Sequence, residues 1–342
     1  MPAIRSALRT LPPAYFALPM ATGIVCIACH MLGMWYFAQP LFWLNILFYV
    51  ALWALFAARA VLFPAEFSAD TRSHYRGPGF FTMIAGTNIV GSQLVLLKGD
   101  YAWGSILLAI GSGLWALLIY WVISNLIARA AKPPLAEGIS GVWLVAVVGT
   151  QSVAVLAALT SAQSSRRDLL MFLAVSMFFI GIFLYAMVIT LIFYRLLFYE
   201  IQPDAMVPTY WVDMGAVAIS ALAGATLVLH TPGVTFMQAI LPFTKGLTLA
   251  LWAVATWWIP FLVIFGVWRH GIRRYPLAYE PGYWSMVFPL GMYTVCTLQT
   301  ARALDMGFLL PLPEYFIYAA LAAWLLTFAG MARSVFRTLA AR

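Results

Sequence analysis

Charge is what this chain has least of: only 9% of its 342 residues are Asp, Glu, Lys or Arg. Three cysteines, Cys26, Cys29 and Cys296, imply no disulfide framework. Four histidines are present, His30, His74, His230 and His270. Two fall near one end of the apolar segments and two near the other, so no pair stands at mid-membrane depth to hold a b-type haem. Cys26-Ile27-Ala28-Cys29-His30 fits the C-x-x-C-H attachment pattern of c-type haem. It lies inside an apolar segment, with no domain around it to enclose a haem, and cysteines three apart share one helix face as core residues do. No Ser/His/Asp set and no metal-ligand cluster is legible. The reading is therefore not an enzyme: no catalytic residue, no cofactor and no metal. The net charge of +8 comes without a basic, aromatic surface domain, so no nucleic-acid partner is expected.

Apolar sequence is what the chain has in quantity. It is 64% apolar, with a mean hydropathy of +0.93, which is the composition of an integral membrane protein. Apolar stretches run over 13–34, 40–63, 78–97, 102–128, 139–159, 169–199, 209–229, 240–268, 282–303 and 311–336. Each meets the requirement of about 20 residues for a membrane span. The expectation is an all-α protein of ten transmembrane helices, a single transmembrane domain over 1–342 with membrane lipid around it. The first apolar stretch shows no cleavable signal pattern. Basic residues set the orientation. Of the 19 Lys and Arg, only Lys98, Arg166, Arg167, Lys245 and Arg302 fall on one side; the rest, from Arg5 to Arg342, fall on the other. The rich side is the cytoplasm, and both termini belong to it.

The chain also repeats itself. Pro13-Ala14-Tyr15-Phe16, Pro78-Gly79-Phe80-Phe81, Pro208-Thr209-Tyr210-Trp211 and Pro281-Gly282-Tyr283-Trp284 each read proline, small residue, two aromatics. Gly141-Val142-Trp143 is a looser copy. From Phe16 through Phe81, Trp143 and Trp211 to Trp284 the steps are 65, 62, 68 and 73 residues, a period long enough for two membrane helices. Proline suits a first helical turn and paired aromatics suit a membrane interface. The last copy leads into Phe288-Pro289. A proline inside a helix frees a carbonyl and bends the helix, so Phe288 stands at a kink where its ring can plug a pore.

Odd and even segments differ in kind. The odd ones carry Thr22 and Gly23; Gly86, Thr87 and Asn88; Gly149, Thr150 and Gln151; Gly215; and Thr294. The even ones are rich in Leu, Phe and Trp. Small residues permit close helix packing, which accounts for any one of them. Five odd helices of this kind are better explained as an inner ring around a path, with these ten residues as pore-lining candidates. Such a path offers hydroxyls, amides and freed carbonyls but almost no charge, which favours anions selected by field and shape. Lys245 and Arg302, towards the outer ends, are candidates for attracting anions or for snorkelling to the interface. Asp213, one turn into the seventh helix, is a candidate for proton coupling; an acid in a first turn also complements the helix dipole.

Met20-Ala21-Thr22-Gly23-Ile24-Val25, Gly79-Phe80-Phe81 with Ala85-Gly86-Thr87, and Tyr283-Trp284 with Phe288-Pro289 resemble the tellurite-resistance/dicarboxylate transporter family. That family includes malate and sulfite transporters and the slow anion channels of guard cells. The resemblance covers nearly the whole chain. It implies five helical hairpins around a quasi-five-fold central pore, occluded by Phe288 with Pro289 behind it. It further implies a homotrimer with one pore per subunit, in a bacterial inner membrane. The substrate it implies is a small inorganic or organic anion: chloride, nitrate, sulfite or a dicarboxylate such as malate. Two readings stand: a gated anion channel closed by Phe288, and a proton-coupled exporter of a small organic, sulfur or tellurium oxyanion that uses Asp213.

Overall fold

The computed structural model describes residues 2–340; Arg342, one of the basic residues used for orientation, lies outside them. Among the described residues all regular structure is helical. Ten long helices follow one another: α1 (Ala17–Met31), α2 (Trp35–Leu62), α3 (Phe81–Lys98), α4 (Tyr101–Ala128), α5 (Val145–Ser161), α6 (Arg167–Phe198), α7 (Val212–His230), α8 (Thr235–Val267), α9 (Trp284–Ala303) and α10 (Pro311–Ala340). α2 and α8 start ahead of the boundaries read from hydropathy at 40 and 240. Pro40 and Pro242, which look like helix starts, lie inside these helices.

Every odd helix enters through a short 3-10 turn: Pro13–Phe16, Gly77–Phe80, Gly141–Leu144, Pro208–Trp211 and Pro281–Tyr283. Proline fixes φ in four of the five, and its missing N–H is one the first turn would leave unpaired in any case. The third turn has no proline, yet adopts the same geometry. Its Gly141 is required by packing: a Cβ there would run into the carbonyl of Thr209 in the neighbouring opening. The loose sequence copy is thus a full structural copy, and the repeat is five-fold.

The odd helices pack in a closed ring, α1 on α3, α3 on α5, α5 on α7, α7 on α9 and α9 back on α1. Each even helix lies against the odd helix that precedes it. Burial separates the two classes. Among the odd candidate spans 78% to 94% of the apolar window is buried, against 28% to 33% among the even. The even helices present Leu, Phe and Trp outward, as lipid-facing helices do. Among the described residues nine helices are long and apolar enough to cross a membrane. The one that falls outside this class is α9, whose Ser285, Pro289, three threonines and Gln299 dilute its apolar character. It is nonetheless buried along nearly its whole length, inside the ring.

Close approach of helices accounts for the glycines. A Cβ on Gly291 would come 2.9 Å from Ile24 of α1, and one on Gly215 would come 2.6 Å from Pro289 of α9. On the outside, Gly246 faces open space. Gly141→Ala should therefore destabilise by about 1–3 kcal/mol or more through overpacking, whereas Gly246→Ala should be neutral or stabilise by up to about 1 kcal/mol through helix propensity. Thermal unfolding of the purified variants in detergent checks both.

Candidate functional site

The ring encloses a cavity on its axis. Fifteen side chains line it, three from each odd helix, at one repeated spacing: Ile24, Ile27 and Met31; Ile89, Ser92 and Leu96; Ser152, Val155 and Leu159; Ile219, Leu222 and Thr226; Met292, Val295 and Gln299. Steps of three and then four residues keep each set on one helix face. The lining therefore forms three tiers of five. The first is Ile24, Ile89, Ser152, Ile219 and Met292; the last is Met31, Leu96, Leu159, Thr226 and Gln299. At 1.5 Å per residue the tiers span about 10 Å of axis. The cavity is narrow, about 30 Å3, which is room for one or two waters.

Phe288 lies four residues before Met292, so its Cα stands about 6 Å below the first tier. It is 1% exposed. A Cβ on Gly215 would lie 3.4 Å from the ring edge of Phe288, so the missing side chain of Gly215 makes room for the ring against α7. Pro289 follows inside α9. The cavity runs from the far ends of the odd helices and stops short of this ring.

The polar groups of the lining are already bonded to their own ring. Asn88 Nδ2 donates to Ser152 Oγ at 3.0 Å, and Ser152 Oγ donates to Gly149 O at 2.7 Å. Ser92 Oγ donates to Asn88 O, and Thr226 Oγ1 to Leu222 O. At the last tier Arg302 Nη1 is 3.5 Å from Gln299 Oε1. Arg302 is exposed, so a cation stands beside the last tier. Lys245 is half-buried on α8 and does not line the cavity.

None of the ten lining residues expected from sequence lines this cavity; Gly215 stands beside the Phe288 ring, and the other nine lie elsewhere. Three threonines at matching heights accept bonds from outer-helix aromatics: Trp324 Nε1 donates to Thr22 Oγ1 at 3.0 Å, Trp115 Nε1 donates to Thr150 Oγ1 at 2.8 Å, and Tyr49 OH lies 3.0 Å from Thr87 Oγ1. Gln151 Nε2 donates to Phe178 O of α6. Thr294 Oγ1 donates to Leu290 O in its own helix. Gly23 approaches Ile89 and Asn45, Gly86 approaches Phe16 and Pro19, and Gly149 approaches Ile84. Asn88 reaches the cavity only through Ser152. These polar and small residues are joints between helices. The lining itself is mostly Ile, Leu, Val and Met, which sequence alone does not separate from lipid-facing side chains. The signal that finds it is the shared three-then-four spacing at one height in all five odd helices.

Asp213 is fully buried in α7, and neither of its carboxylate oxygens has a hydrogen-bond partner among the described residues. Its backbone carbonyl accepts from Tyr185 OH at 3.2 Å, and Tyr185 OH in turn accepts from Trp258 Nε1 at 3.1 Å. Cys26, Cys29 and Cys296 are buried free thiols. In the connection between α2 and α3, His74 is held below the ordinary histidine value by burial first, then by Arg129 and Lys132. Among the described residues no group of His, Cys, Asp or Glu could hold a metal ion.

The five odd helices thus ring a narrow cavity whose lining carries no charge. The sequence signature of the voltage-dependent anion channel family matches residues 10–332. The chain belongs to the voltage-dependent anion channel family. Its motifs resemble this same group. Among curated relatives, an uncharacterized membrane protein of Mycobacterium tuberculosis is 39% identical over 149 residues, 44% of this chain and 75% of that protein. An uncharacterized transporter of Methanocaldococcus jannaschii is 22% identical over 296 residues, 84% of this chain and 82% of its own. A sulfite efflux pump of Arthroderma benhamiae is 24% identical over 348 residues, 94% of this chain and 90% of its own. The family match thus spans nearly the whole chain.

The tiers make a graded prediction. Thr226→Cys, Leu222→Cys and Ile219→Cys should react with a small membrane-impermeant thiol reagent, fastest at Thr226 and slowest at Ile219. Thr22→Cys and Thr150→Cys should stay unmodified in the native protein. Mass spectrometry of the labelled protein reads the order.

Proposed function

We propose that this protein is an anion channel or transporter of a bacterial inner membrane, moving small anions along the axis of the five odd helices. Ten crossings form five hairpins, α9 completes the ring, and both termini face the cytoplasm. Phe288, backed by Pro289, occludes the path. The molecule works as a homotrimer with one path per subunit. Chloride, nitrate, sulfite and dicarboxylates such as malate are the candidate anions.

The observation that carries this reading is the three-tier cavity that stops at Phe288. Its physics suits conduction. An anion on the axis meets dipoles and hydroxyls already bonded to the ring, so no deep well holds it, and weak binding lets an ion leave as readily as it enters. The five odd helices all point their N-termini, the positive ends of their dipoles, to the same side. At the opposite side the dipoles would repel an anion, and there Lys98 and Arg302 close α3 and α9. Arg302 beside Gln299 raises the local anion concentration at that mouth. At Phe288 the axis is apolar and filled, and an anion cannot shed its hydration there at low cost.

In proteoliposomes, Phe288→Ala should raise chloride and nitrate flux by at least about tenfold, which corresponds to lowering the barrier by about 1.4 kcal/mol. Flux unchanged from the parent protein would overturn the role of Phe288.

A second reading rests on Asp213. The Asp213 carboxyl is buried in α7 without a hydrogen-bond partner among the described residues, and an ionisable group so placed within a span is the setting of a proton-coupling residue. In this reading transport of a small organic acid, or of a sulfur or tellurium oxyanion, is coupled to protons. Asp213→Asn should then abolish the dependence of uptake on a pH gradient while leaving the folded protein intact; coupling that persists in the variant removes Asp213 from the mechanism.

A further inference from the structure

Charges in the connection between α2 and α3 sort into two groups. Asp70 ends the short helix Pro64–Thr71 and is buried. Arg59 Nη2 donates to its Oδ2 at 2.7 Å, and Arg76 Nε lies 2.7 Å from its Oδ1. Both carboxylate oxygens are thus committed inward. Arg72, two residues further on, is exposed, and its side chain makes no hydrogen bond or ion pair among the described residues. Its backbone carbonyl accepts from Arg129 Nη1 at 2.9 Å. That bond holds Arg129, the residue just past the end of α4, against Arg72. Lys132 is a third cation nearby: with Arg129, and after burial, it holds His74 below the ordinary histidine value. Like charges gathered this way repel one another. Arg129 complements the negative end of the α4 dipole; that accounts for one cation here, not for Arg72 beside it.

The two arginines share an open cleft of about 620 Å3, lined by Ala69, Arg72, Asn125, Ala128 and Arg129. No Asp or Glu lines it. Asn125 Nδ2 donates to Thr71 Oγ1 at 3.4 Å, which ties α4 to the short helix behind the cleft. Both arginines are exposed, so their free guanidinium nitrogens can reach an anion in the cleft. Just before it, α4 turns Tyr120, Trp121 and Ile127 outward, the aromatic and apolar surface that marks a membrane interface. Two guanidiniums without a counter-charge suit a phosphate, which each can bind through paired N–H donors. At this depth the phosphates at hand are those of the lipid headgroups.

The geometry points to a binding site for the headgroup phosphate of an anionic glycerophospholipid, held between Arg72 and Arg129 where the α2–α3 connection meets the end of α4. The lipid body lies along the exposed face of α4 at Ile127. Lys132 disfavours a headgroup that carries its own cation, so phosphatidylglycerol is preferred to phosphatidylcholine. The site shares no residue with the axial cavity. It belongs to the side of the 3-10 openings, since the turn Gly77–Phe80 follows Arg72 closely. A bound phosphate would clip the segment that leads into α3 to the end of α4.

Native mass spectrometry of the delipidated full chain in non-ionic detergent counts bound lipid as phosphatidylglycerol, phosphatidylcholine or inorganic phosphate is added. The parent should hold phosphatidylglycerol at concentrations where phosphatidylcholine is not retained. Arg72→Gln, which removes no side-chain bond among the described residues, and Arg129→Gln should each weaken the lipid by about fivefold or more, the scale of one basic residue at an anionic headgroup. Ala128→Trp fills the cleft, leaves both arginines in place, and should weaken the lipid at least as much. Arg333→Gln combined with Arg337→Gln removes two exposed cations of α10 and should bind as the parent does. Equal retention of phosphatidylcholine, binding unchanged in Arg72→Gln and Ala128→Trp, or an equal loss in the α10 variant would overturn the proposal. Inorganic phosphate that binds as tightly as the lipid would assign the cleft to a soluble anion and overturn the lipid as its occupant.

Discussion

In a bilayer no water is available to satisfy a polar group, so each one must find its partner inside the protein. That constraint arranges this molecule. The hydroxyls and amides of the odd helices bond backward to outer-helix indoles and phenols or to carbonyls of their own turn. Trp115 to Thr150 and Trp324 to Thr22 are the clearest cases. Each such bond is modest, about 0.6 kcal/mol on average for membrane helices. Together they tie every outer helix to the ring and turn the polar faces away from the axis. What remains on the axis is apolar, narrow and nearly free of unpaired polar atoms.

The ring depends on a second feature, the five 3-10 openings. They bring all five odd helices in at the same side and at the same height. The lining residues then fall into register without further instruction: a three-then-four step from a common starting level is enough to make tiers. The glycines at Gly141, Gly215 and Gly291 are the places where neighbouring backbones come too close for a side chain. Longer even helices wrap the outside and carry most of the exposed aromatic surface.

Much of this was legible in the sequence. Apolar length marks the helices, the proline and aromatic openings mark the repeat, and the contrast of odd with even segments marks inside from outside. The lining was not legible. Thr22, Thr87 and Thr150 are polar and central in sequence, so they suggest a polar path; in the fold their hydroxyls are consumed by Trp324, Tyr49 and Trp115. Ile24, Ile89 and Ile219 look like lipid-facing residues, yet they face the axis. The distinction depends on which way each face of a buried helix turns, and hydropathy is nearly uniform around such a helix. α9 is the opposite case. Its threonines, Gln299 and Pro289 make it less apolar than the other nine, yet the stretch 282–303 was legible as a span, and in the fold it closes the ring.

The proposed gate is one aromatic ring, Phe288, standing beyond the first tier of the axial cavity. Its most direct test is single-channel conductance in planar bilayers across a size series at one position: Phe288, then Phe288→Leu, Phe288→Val, Phe288→Ala and Phe288→Gly. Nitrate current that rises stepwise as the side chain shrinks, with folded protein throughout, is the predicted result. A series in which current is absent throughout, or does not depend on side-chain size, would contradict it.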